Sequence, residues 1–380
     1  MEYILVLPSW YPSKLDNFRG DFNERLVNSV AILNTQVVVF VSTLRNSKIK
    51  DIEVFEEENI ITYKAYFAHS KYDLINVYRL IKLYLSIFKI VFKKYGLPKL
   101  VHNYVFFPSG IISVYLKYRY NLKLVLTEHW SLFNYKNNVN HIYTQSIYKR
   151  RLYSKILKSF DSIISVSKSL EVSISEWTPI SKKYILPNVV NVTFFNKKKH
   201  TEPNSPFTFI HVSDTGPHKN VLGILNVFKN LIGNGVAVNL ILIGKEKEEI
   251  SAFIKNNFLN ENIKLLGELP YQEVADAMRV SDAFVLFSNY ENMPCVILEA
   301  LCCGLPVISS NVGGVSTVLD KTNGLLIEPS NEEQLENAII QMMENYNQFD
   351  ISQISAKAIE LYNYDNIGKL TNKIYLETLK

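Results

Sequence analysis

The sequence predicts an α/β protein made of two Rossmann-like domains, each built on a parallel sheet. Short apolar runs typical of buried strands alternate with helical patterns in both halves of the chain. The alternation is interrupted by a segment rich in Asn, Pro and Lys at residues 187–206. A chain of 380 residues is also longer than one ordinary core requires, so it fits two domains.

Composition is that of a folded protein, because 47% of the residues are hydrophobic and only 20% are charged. Cys295, Cys302 and Cys303 have neither zinc-site spacing nor the pattern of a disulfide framework, which suits a reducing compartment. The first residues read as a strand rather than a signal peptide, and no apolar run reaches membrane-spanning length. We therefore expect a cytoplasmic protein, either free or at the inner face of a membrane.

Charge is distributed unevenly along the chain. Residues 1–200 contain 29 Lys and Arg against 14 Asp and Glu, whereas residues 201–380 contain 12 against 22. A basic first half indicates a polyanionic or membrane-surface partner for that half.

The first half is predicted to contain strands at residues 3–7, 36–41, 100–102, 123–127 and 162–166. A loop ending at Gly20 joins the first strand to a helix beginning near Asp21. Backbone amides at such a helix start can meet a phosphate or an acceptor, although an ordinary connecting loop explains the pattern as well.

A helix is predicted from Asn76 to Tyr95. Its basic residues fall on one narrow face at 100° per residue, and apolar residues cover the rest. The basic residues are Arg79, Lys82, Lys89 and Lys93. The helix either docks on an anionic bilayer or covers the sheet with one solvated stripe.

A histidine follows a predicted strand at two places. His129 comes after the apolar run LKLVL and Thr127-Glu128, and His102 ends an earlier strand. Ligands gather beyond the carboxyl ends of strands in open α/β sheets, so both are candidates. A structural histidine that bonds within the protein is the alternative for each.

In the second half, a strand at residues 207–212 precedes SDTGPHKN and a helix from about Val221. Lys219 stands just before that helix. The helix dipole disfavours a cation there, so a bound diphosphate would explain its presence. A buried strand and turn is predicted at residues 238–244, and another buried strand at residues 282–287.

Residues 288–314 contain a polar loop, a short helix from Cys295 to Cys302, a buried strand and the glycine pair Gly313-Gly314. Glu291 stands in the loop and Glu299 lies eight residues further on, inside an almost wholly apolar helix. A buried carboxylate is rarely left unpaired, and the unbonded amides of the helix start favour an anion. A solvated loop acid beside a helix acid is the alternative.

This segment, with NGLLIEP after it, resembles the donor-site signature of glycosyltransferase family 4, also called glycosyl transferases group 1. The resemblance implies the GT-B fold, with two Rossmann-like parallel-sheet domains facing each other across a cleft. It implies an acceptor-binding domain at residues 1–190, a linker at 191–206 and a donor domain at 207–355. The last helix, residues 356–380, would cross back to the N-terminal domain.

The resemblance also implies the activity, a retaining hexosyl-type transfer from a UDP- or GDP-linked sugar to a glycan or lipid-linked acceptor in surface polysaccharide synthesis. Catalytic roles fall to His129, Glu291 and Lys219, with Glu299 on the ribose. The implied donor-binding residues are Gly20, Ser213, Lys219, Gly267, Glu291, Asn292, Met293, Pro294, Cys295, Val296 and Glu299. Asn188, His102 and Arg19 are secondary candidates.

Two positions depart from the family pattern. Asp214 stands where relatives usually have an arginine, five residues before Lys219. One phosphate-binding cation is therefore missing or is supplied from elsewhere, for example by Arg19. Ser316-Thr317 replaces a glutamate that many relatives have after the glycine pair.

The chemistry predicted needs no metal and no cofactor. The chain contains no D-x-D sequence, the arrangement that holds a divalent cation in the other large glycosyltransferase fold. Helix amides and Lys219 would instead meet the charge of the leaving diphosphate.

Other functions are considered as well. Asp214 keeps open a catalytically inactive nucleotide-sugar-binding partner of a polysaccharide assembly complex. A glycosidase would need catalytic rather than binding carboxylates. No G-x-G-x-x-G follows the first strand of either domain, which disfavours a nicotinamide dehydrogenase, and no motif supports nucleic acid binding.

Overall fold

The computed structural model describes residues 1–44, 51–133, 141–177, 179, 182–197 and 202–380. The chain divides into two compact units. The first contains the described residues up to Val189 together with Tyr364–Lys380, and the second contains Val190–Asn363. Each unit is an α/β layer structure around one largely parallel sheet, which confirms the predicted fold class.

The first unit is built on an eight-stranded sheet with the order β3-β4-β2-β1-β5-β6-β7-β8. Its strands are β1 (Ile4–Pro8), β2 (Gln36–Leu44), β3 (Asp51–Glu57), β4 (Ile60–Ala68), β5 (Leu100–Tyr104), β6 (Leu124–Glu128), β7 (Ser162–Ser165) and β8 (Lys183–Ile185). All neighbouring pairs are parallel except β3 and β4, which form an antiparallel hairpin. The central strands β1, β5 and β6 are buried along their whole length, as apolar strands covered on both faces must be.

Before the chain enters the second unit, the described helices beside this sheet are α1 (Asp21–Ala31), α2 (Asp73–Tyr95), α3 (Gly110–Tyr120), α4 (Ile147–Lys158) and α5 (Lys168–Trp177). Helix α2 begins three residues before its predicted start and buries Leu83, Tyr84, Ile87, Phe88 and Val91. None of the described helices, α2 included, combines the length and apolar character that crossing a bilayer requires.

The second unit is built on a six-stranded parallel sheet with the order β11-β10-β9-β12-β13-β14. Its strands are β9 (Phe207–Val212), β10 (Val238–Ile243), β11 (Ile263–Leu265), β12 (Ala283–Leu286), β13 (Val307–Ser310) and β14 (Gly324–Ile327). Its helices are α6 (Val221–Gly233), α7 (Glu248–Asn256), α8 (Tyr271–Val280), α9 (Cys295–Cys302), α10 (Glu332–Glu344) and α11 (Ile351–Tyr362). The strand order reverses between β9 and β12, which makes that place the topological switch point of the sheet.

The last helix, α12 (Tyr364–Leu379), belongs to the first unit and packs against α1. The helix before it, α11, stays in the second unit, so the predicted boundary at residue 356 falls inside α11. Asp350 caps α11, and the Ser355 hydroxyl donates to the Cys302 carbonyl of α9 over 2.6 Å. These contacts hold the chain to the second unit until Asn363.

The predicted linker at residues 191–206 is partly integrated into the second unit. Phe195 is fully buried, and the Arg279 guanidinium of α8 donates to the Phe194 carbonyl. Residues 198–201 of the predicted linker lie outside the described residues.

Candidate functional site

The site candidates of the second unit lie at its switch point. The loop after β9 carries Asp214 and Lys219, and the loop after β12 carries Glu291. Both loops leave the carboxyl edge of the sheet from the two neighbouring strands at which the order reverses. Ligands of open α/β sheets bind at this place because the diverging loops leave a crevice there.

Lys219 and Glu291 form a buried ion pair. The Lys219 Nζ atom lies 2.5 Å from Glu291 Oε1, and the two side chains are 14% and 10% exposed. Ser288, itself fully buried, donates its hydroxyl to the same oxygen over 2.8 Å. Burial alone would lower the pKa of Lys219, but the Glu291 carboxylate raises it above its usual value, so the amine is charged at neutral pH.

The glycine pair after β13, Gly313-Gly314, packs against the backbone of the loop that carries Glu291. Gly313 has a φ of +58°, and a Cβ atom there would lie 2.0 Å from the Glu291 carbonyl oxygen. The amide of Gly314 donates to the Asn292 carbonyl over 2.7 Å. Only glycine tolerates both the backbone conformation and the close approach, so the pair fixes the loop that presents Glu291.

Helix α9 begins directly after this loop. Pro294 is its N-cap, and Met293, the residue before it, is buried. The first turn contains no acidic residue, and Cys295 and Val296 are half-buried there. The electrostatics of this helix start therefore suit an anion, as the sequence predicts.

Glu299 lies one turn inside α9 and is only 2% exposed. A carboxylate at such a depth requires polar partners, which fits a site rather than a solvated helix face. Its assignment to a ribose stays a prediction.

Asp214 has a structural role in the loop after β9. Its Oδ1 atom accepts the Gly216 amide over 3.0 Å, which closes a tight turn ahead of Lys219. Its charge also contributes to the raised pKa of Lys219. The suggestion that Arg19 replaces the arginine of the family pattern stays a prediction.

Two further donor-site predictions fall on residues with backbone or local roles. The Ser213 hydroxyl is hydrogen-bonded to His211 and accepts the Thr215 amide over 3.1 Å, so it shapes the loop after β9. Gly267 has a φ of +70°, and its carbonyl accepts the Gly244 amide over 2.9 Å. Their contact with a donor stays a prediction.

Sequence reasoning missed a stacked pair that joins the two loops. The rings of His218 and Tyr290 lie 4.9 Å apart with nearly parallel planes, and the Asn289 amide donates to the His218 carbonyl over 2.7 Å. His218 precedes Lys219 and Tyr290 precedes Glu291 in the sequence. His218 is 72 residues from Tyr290, as Lys219 is from Glu291, and no local sequence pattern connects positions so distant.

In the first unit, Gly20 caps α1 with a φ of +79°, and a Cβ atom there would lie 2.4 Å from the Trp10 backbone. The first turn of α1 carries Asp21 and Glu24, and the Asn23 and Glu24 amides donate to the Gly20 carbonyl. The helix dipole favours acids in this turn, and Asp21 is paired with Arg25 over 3.0 Å, so an ordinary connecting loop explains the turn and phosphate contact there stays a prediction. Contact of Gly20 with another part of a donor stays a prediction.

His129 lies at the carboxyl end of β6, where the sequence places it. Its ring packs 4.6 Å from that of Phe22 on α1, and burial lowers its pKa to about 3. The imidazole is therefore neutral at physiological pH, with one nitrogen that donates and one that accepts a hydrogen bond. Its role beside the transferred sugar stays a prediction.

His102 has a structural role, because both of its ring nitrogens are bonded within the first unit, and its contact with a substrate stays a prediction. Its Nδ1 atom is 2.6 Å from the Tyr375 hydroxyl of α12, and its Nε2 atom is 2.8 Å from the Thr127 hydroxyl of β6. The ring is fully buried, so it ties the last helix to the sheet. Asn188 is also buried, at 3% exposure, near the end of the first unit.

Among the described residues, no group of three or more His, Cys, Asp or Glu side chains is arranged to hold a metal ion. Glu291 and Glu299, the two predicted acids of the second unit, therefore belong to no such group in the described part of the chain.

Comparison with known proteins agrees with the resemblance seen in the sequence. Residues 192–358 match the family model described as glycosyl transferases group 1. The chain is 29% identical over 310 residues to an uncharacterized glycosyltransferase of Methanocaldococcus jannaschii, covering 78% of this chain and 82% of that protein. It is 24% identical over 357 residues to a putative teichuronic acid biosynthesis glycosyltransferase of Bacillus subtilis, covering 88% of each.

The fold is similar to that of solved glycosyltransferases. Anabaena HepE, solved in complex with UDP, superposes with a TM-score of 0.72 at 15% identity, covering 99% of this chain and 100% of HepE. At such low identity the likeness shows the shared two-unit GT-B fold alone.

Proposed function

We propose that this chain, which belongs to the glycosyl transferases group 1 family, transfers a sugar from a nucleotide-sugar donor to a glycan or lipid-linked acceptor. The donor site of the proposal is the switch point of the second unit, with Lys219, Glu291 and the start of α9. The proposal includes retention of configuration, which rests on the family resemblance, and independence from metal ions, which rests on the absence of a D-x-D sequence.

The observation that carries the proposal is the buried Lys219–Glu291 pair beside the start of α9. A buried lysine at a helix start, paired with a single carboxylate, is a preformed site for an anion that carries more charge than that carboxylate. A donor diphosphate would draw the amine from Glu291, and the carboxylate would then accept hydrogen bonds from the sugar hydroxyls. Charge developing on the leaving diphosphate would meet Lys219 and the helix amides.

The choice of donor base and donor sugar to test first comes only from the comparison with solved structures. Solved complexes of HepE contain UDP and UDP-glucose, and HepE shares the fold of this chain. We therefore propose a UDP-sugar as the first donor to test, with GDP-sugars as the second.

The acceptor is proposed to be presented at a lipid surface. The relatives include putative teichuronic acid biosynthesis and phosphatidylinositol N-acetylglucosaminyltransferase proteins. On α2, Lys82, Lys89 and Lys93 are exposed, and Leu74 and Tyr78 are 85% and 62% exposed. A row of lysines flanked by exposed apolar side chains suits peripheral contact with an anionic bilayer.

The test is a thermal-shift screen of UDP-, GDP- and ADP-sugars with and without EDTA, followed by an assay of nucleotide release with candidate acceptors. We expect one nucleotide series to raise the melting temperature whether or not EDTA is present. The Glu299→Gln variant should lose most of that shift, while Glu333→Gln, an exposed acid of α10, should keep it.

Two results would contradict the proposal. If no nucleotide-sugar shifts the melting temperature, the donor site is wrong. If donors bind but no acceptor promotes nucleotide release, the inactive binding partner suggested by Asp214 becomes the better description.

A further inference from the structure

Glu128 is a fully buried acid at the carboxyl end of β6. Its carboxylate accepts three backbone N–H groups: Phe106 N at 3.0 Å, His129 N at 2.9 Å and Trp130 N at 2.7 Å. In the described part of the chain its partners are amides rather than cations. Burying a carboxylate in this way costs folding free energy, so we infer that Glu128 has a role other than stabilising the fold.

The three amides belong to loops that leave two neighbouring strands. Phe106 follows β5, and His129 and Trp130 follow β6. The side chains that Glu128 thereby positions form a half-buried aromatic edge: the His129 ring packs on Phe22, and the Trp130 ring lies 5.9 Å from that of Trp10. The loops after β1, β5 and β6 are thus held together at one edge of the sheet.

We propose that Glu128 is a positioning residue for the transfer reaction, whose ionised carboxylate fixes the backbone of His129 and Trp130 where their side chains meet the substrate. This inference rests on the proposed function through His129. Glu128 itself is buried behind the loops and acts through the residues that it holds.

The geometry requires the ionised form of the acid. Three N–H donors point at two carboxylate oxygens, and a protonated carboxyl would place its own O–H group against one of them. Burial raises the pKa of Glu128 to about 7, and the three amide bonds only partly oppose this. The carboxylate clamp is therefore complete above pH 7 and loosens as the pH falls below it.

Four titratable groups on β5, on α4 and in the loop after β6 do not change charge in this range. Burial lowers the pKa of His129 and of His102, on β5, to about 3. It raises the pKa of Tyr104, on β5, and of Tyr153, on α4. Burial also raises the pKa of Asp21 on α1, so a change in this part of the protein between pH 6 and pH 8 is assigned to Glu128 where Glu128→Gln removes it.

The experiment compares wild type with Glu128→Gln, which keeps the shape and removes the charge. The matched control is Asp161→Asn, because Asp161 accepts the Leu124 amide over 2.8 Å at the opposite end of the same strand. The measurements are kcat and KM from pH 5.5 to 8.5, donor-induced thermal shift, and amide hydrogen exchange at Phe106, His129 and Trp130.

For wild type we expect kcat to rise as the pH passes 7. Glu128→Gln should lower kcat roughly tenfold or more at pH 8, because small misplacements of reacting groups are costly, and should remove the rise. Its donor-induced shift should be unchanged and exchange at the three amides faster. Asp161→Asn should keep the wild-type pH profile.

A Glu128→Gln variant with wild-type kcat, pH profile and amide exchange would overturn the inference. Should that variant fail to fold, Glu128→Asp, which keeps the charge but retracts it, should fold with lowered kcat and a retained rise with pH; a wild-type kcat there would also overturn the inference. If wild type transfers no sugar, the proposed function fails instead, and amide exchange as a function of pH alone decides whether the clamp exists.

Discussion

At the scale of single residues, the two loops of the second unit are joined by an ion pair that is almost entirely shielded from water. Lys219 and Ser288 both bond to Glu291 Oε1. Removing one member of such a pair leaves the other buried without its partner, which costs more than the pair itself contributes.

We expect Lys219→Met to lower the free energy of unfolding of the second unit by up to about 3 kcal/mol and to abolish donor binding. The double variant Lys219→Met/Glu291→Gln should recover stability, because no charge stays unmatched, but not donor binding. Chemical denaturation and donor-induced thermal shift measure the two effects.

Lys229→Met, an exposed lysine of α6, serves as the control and should change neither quantity. Equal stability of the single and double variants would show that the pair is not coupled, and donor binding by either would place the diphosphate elsewhere.

At the scale of elements, α2 presents its basic row differently from the sequence prediction. Arg79 donates to the Ala68 carbonyl at the end of β4 over 2.5 Å, so it is committed to the fold. Lys82, Lys89 and Lys93 stay on the exposed face, opposite the buried residues of the helix. Three lysines, rather than four basic residues, are available to a membrane surface.

Replacing Lys82, Lys89 and Lys93 together by Gln should weaken binding to anionic vesicles by about 3 kcal/mol, or roughly a hundredfold, since each lysine contributes about 1 kcal/mol near such a surface. Cosedimentation at several salt concentrations measures this, and added salt should weaken wild-type binding.

Replacing Lys229, Lys255 and Lys264 of the second unit removes the same charge from other exposed positions and should leave vesicle binding unchanged. Equal binding by both triple variants and wild type would rule out α2 as the contact surface.

Elements were predictable from the sequence to different degrees. β9 begins and ends where its apolar run predicts, because a strand buried on both faces has an unmistakable pattern. The hairpin of β3 and β4 was missed: β3 is an acid-rich edge strand, and its Val54 and Phe55 are 48% and 46% exposed. An edge strand that is half in solvent lacks the apolar run of a central one.

At the scale of the whole molecule, the end of the chain completes the first unit. Gly368 of α12 lies against α1 so closely that a Cβ atom would be 2.2 Å from the Ser29 carbonyl oxygen. Tyr375 of the same helix bonds to the buried His102, and Glu377 accepts the Tyr184 hydroxyl over 2.7 Å. The first unit therefore folds from segments at both ends of the sequence.

Gly368→Ala should lower the stability of the first unit by about 2 kcal/mol, because the added methyl group would overlap backbone. Tryptophan fluorescence in urea reports this unit specifically, since Trp10, Trp130 and Trp177 all belong to it.

Gly233→Ala is the matched control, as nothing lies within 4 Å of a Cβ atom at that helical glycine. Because Gly233 lies in the second unit, its substitution should leave the tryptophan-reported midpoint unchanged, and alanine should keep or slightly raise the stability of the second unit because it favours a helix over glycine. Equal urea midpoints of the tryptophan fluorescence transition for Gly368→Ala and wild type would contradict the close packing of α12 on α1.

The sequence by itself determined the two-domain α/β fold, the loop and helix that carry Glu291 and Glu299, and the resemblance to glycosyl transferases group 1. Strand burial, turn residues and helix starts act over a few neighbouring positions, so local patterns record them. Tertiary structure alone decided that Lys219 bonds to Glu291, 72 residues away, that His102 bonds to Tyr375, 273 residues away, and that Glu128 holds two loops. Those contacts arise when distant strand ends meet at one edge of a sheet, and nothing in the local sequence records which loops will face each other.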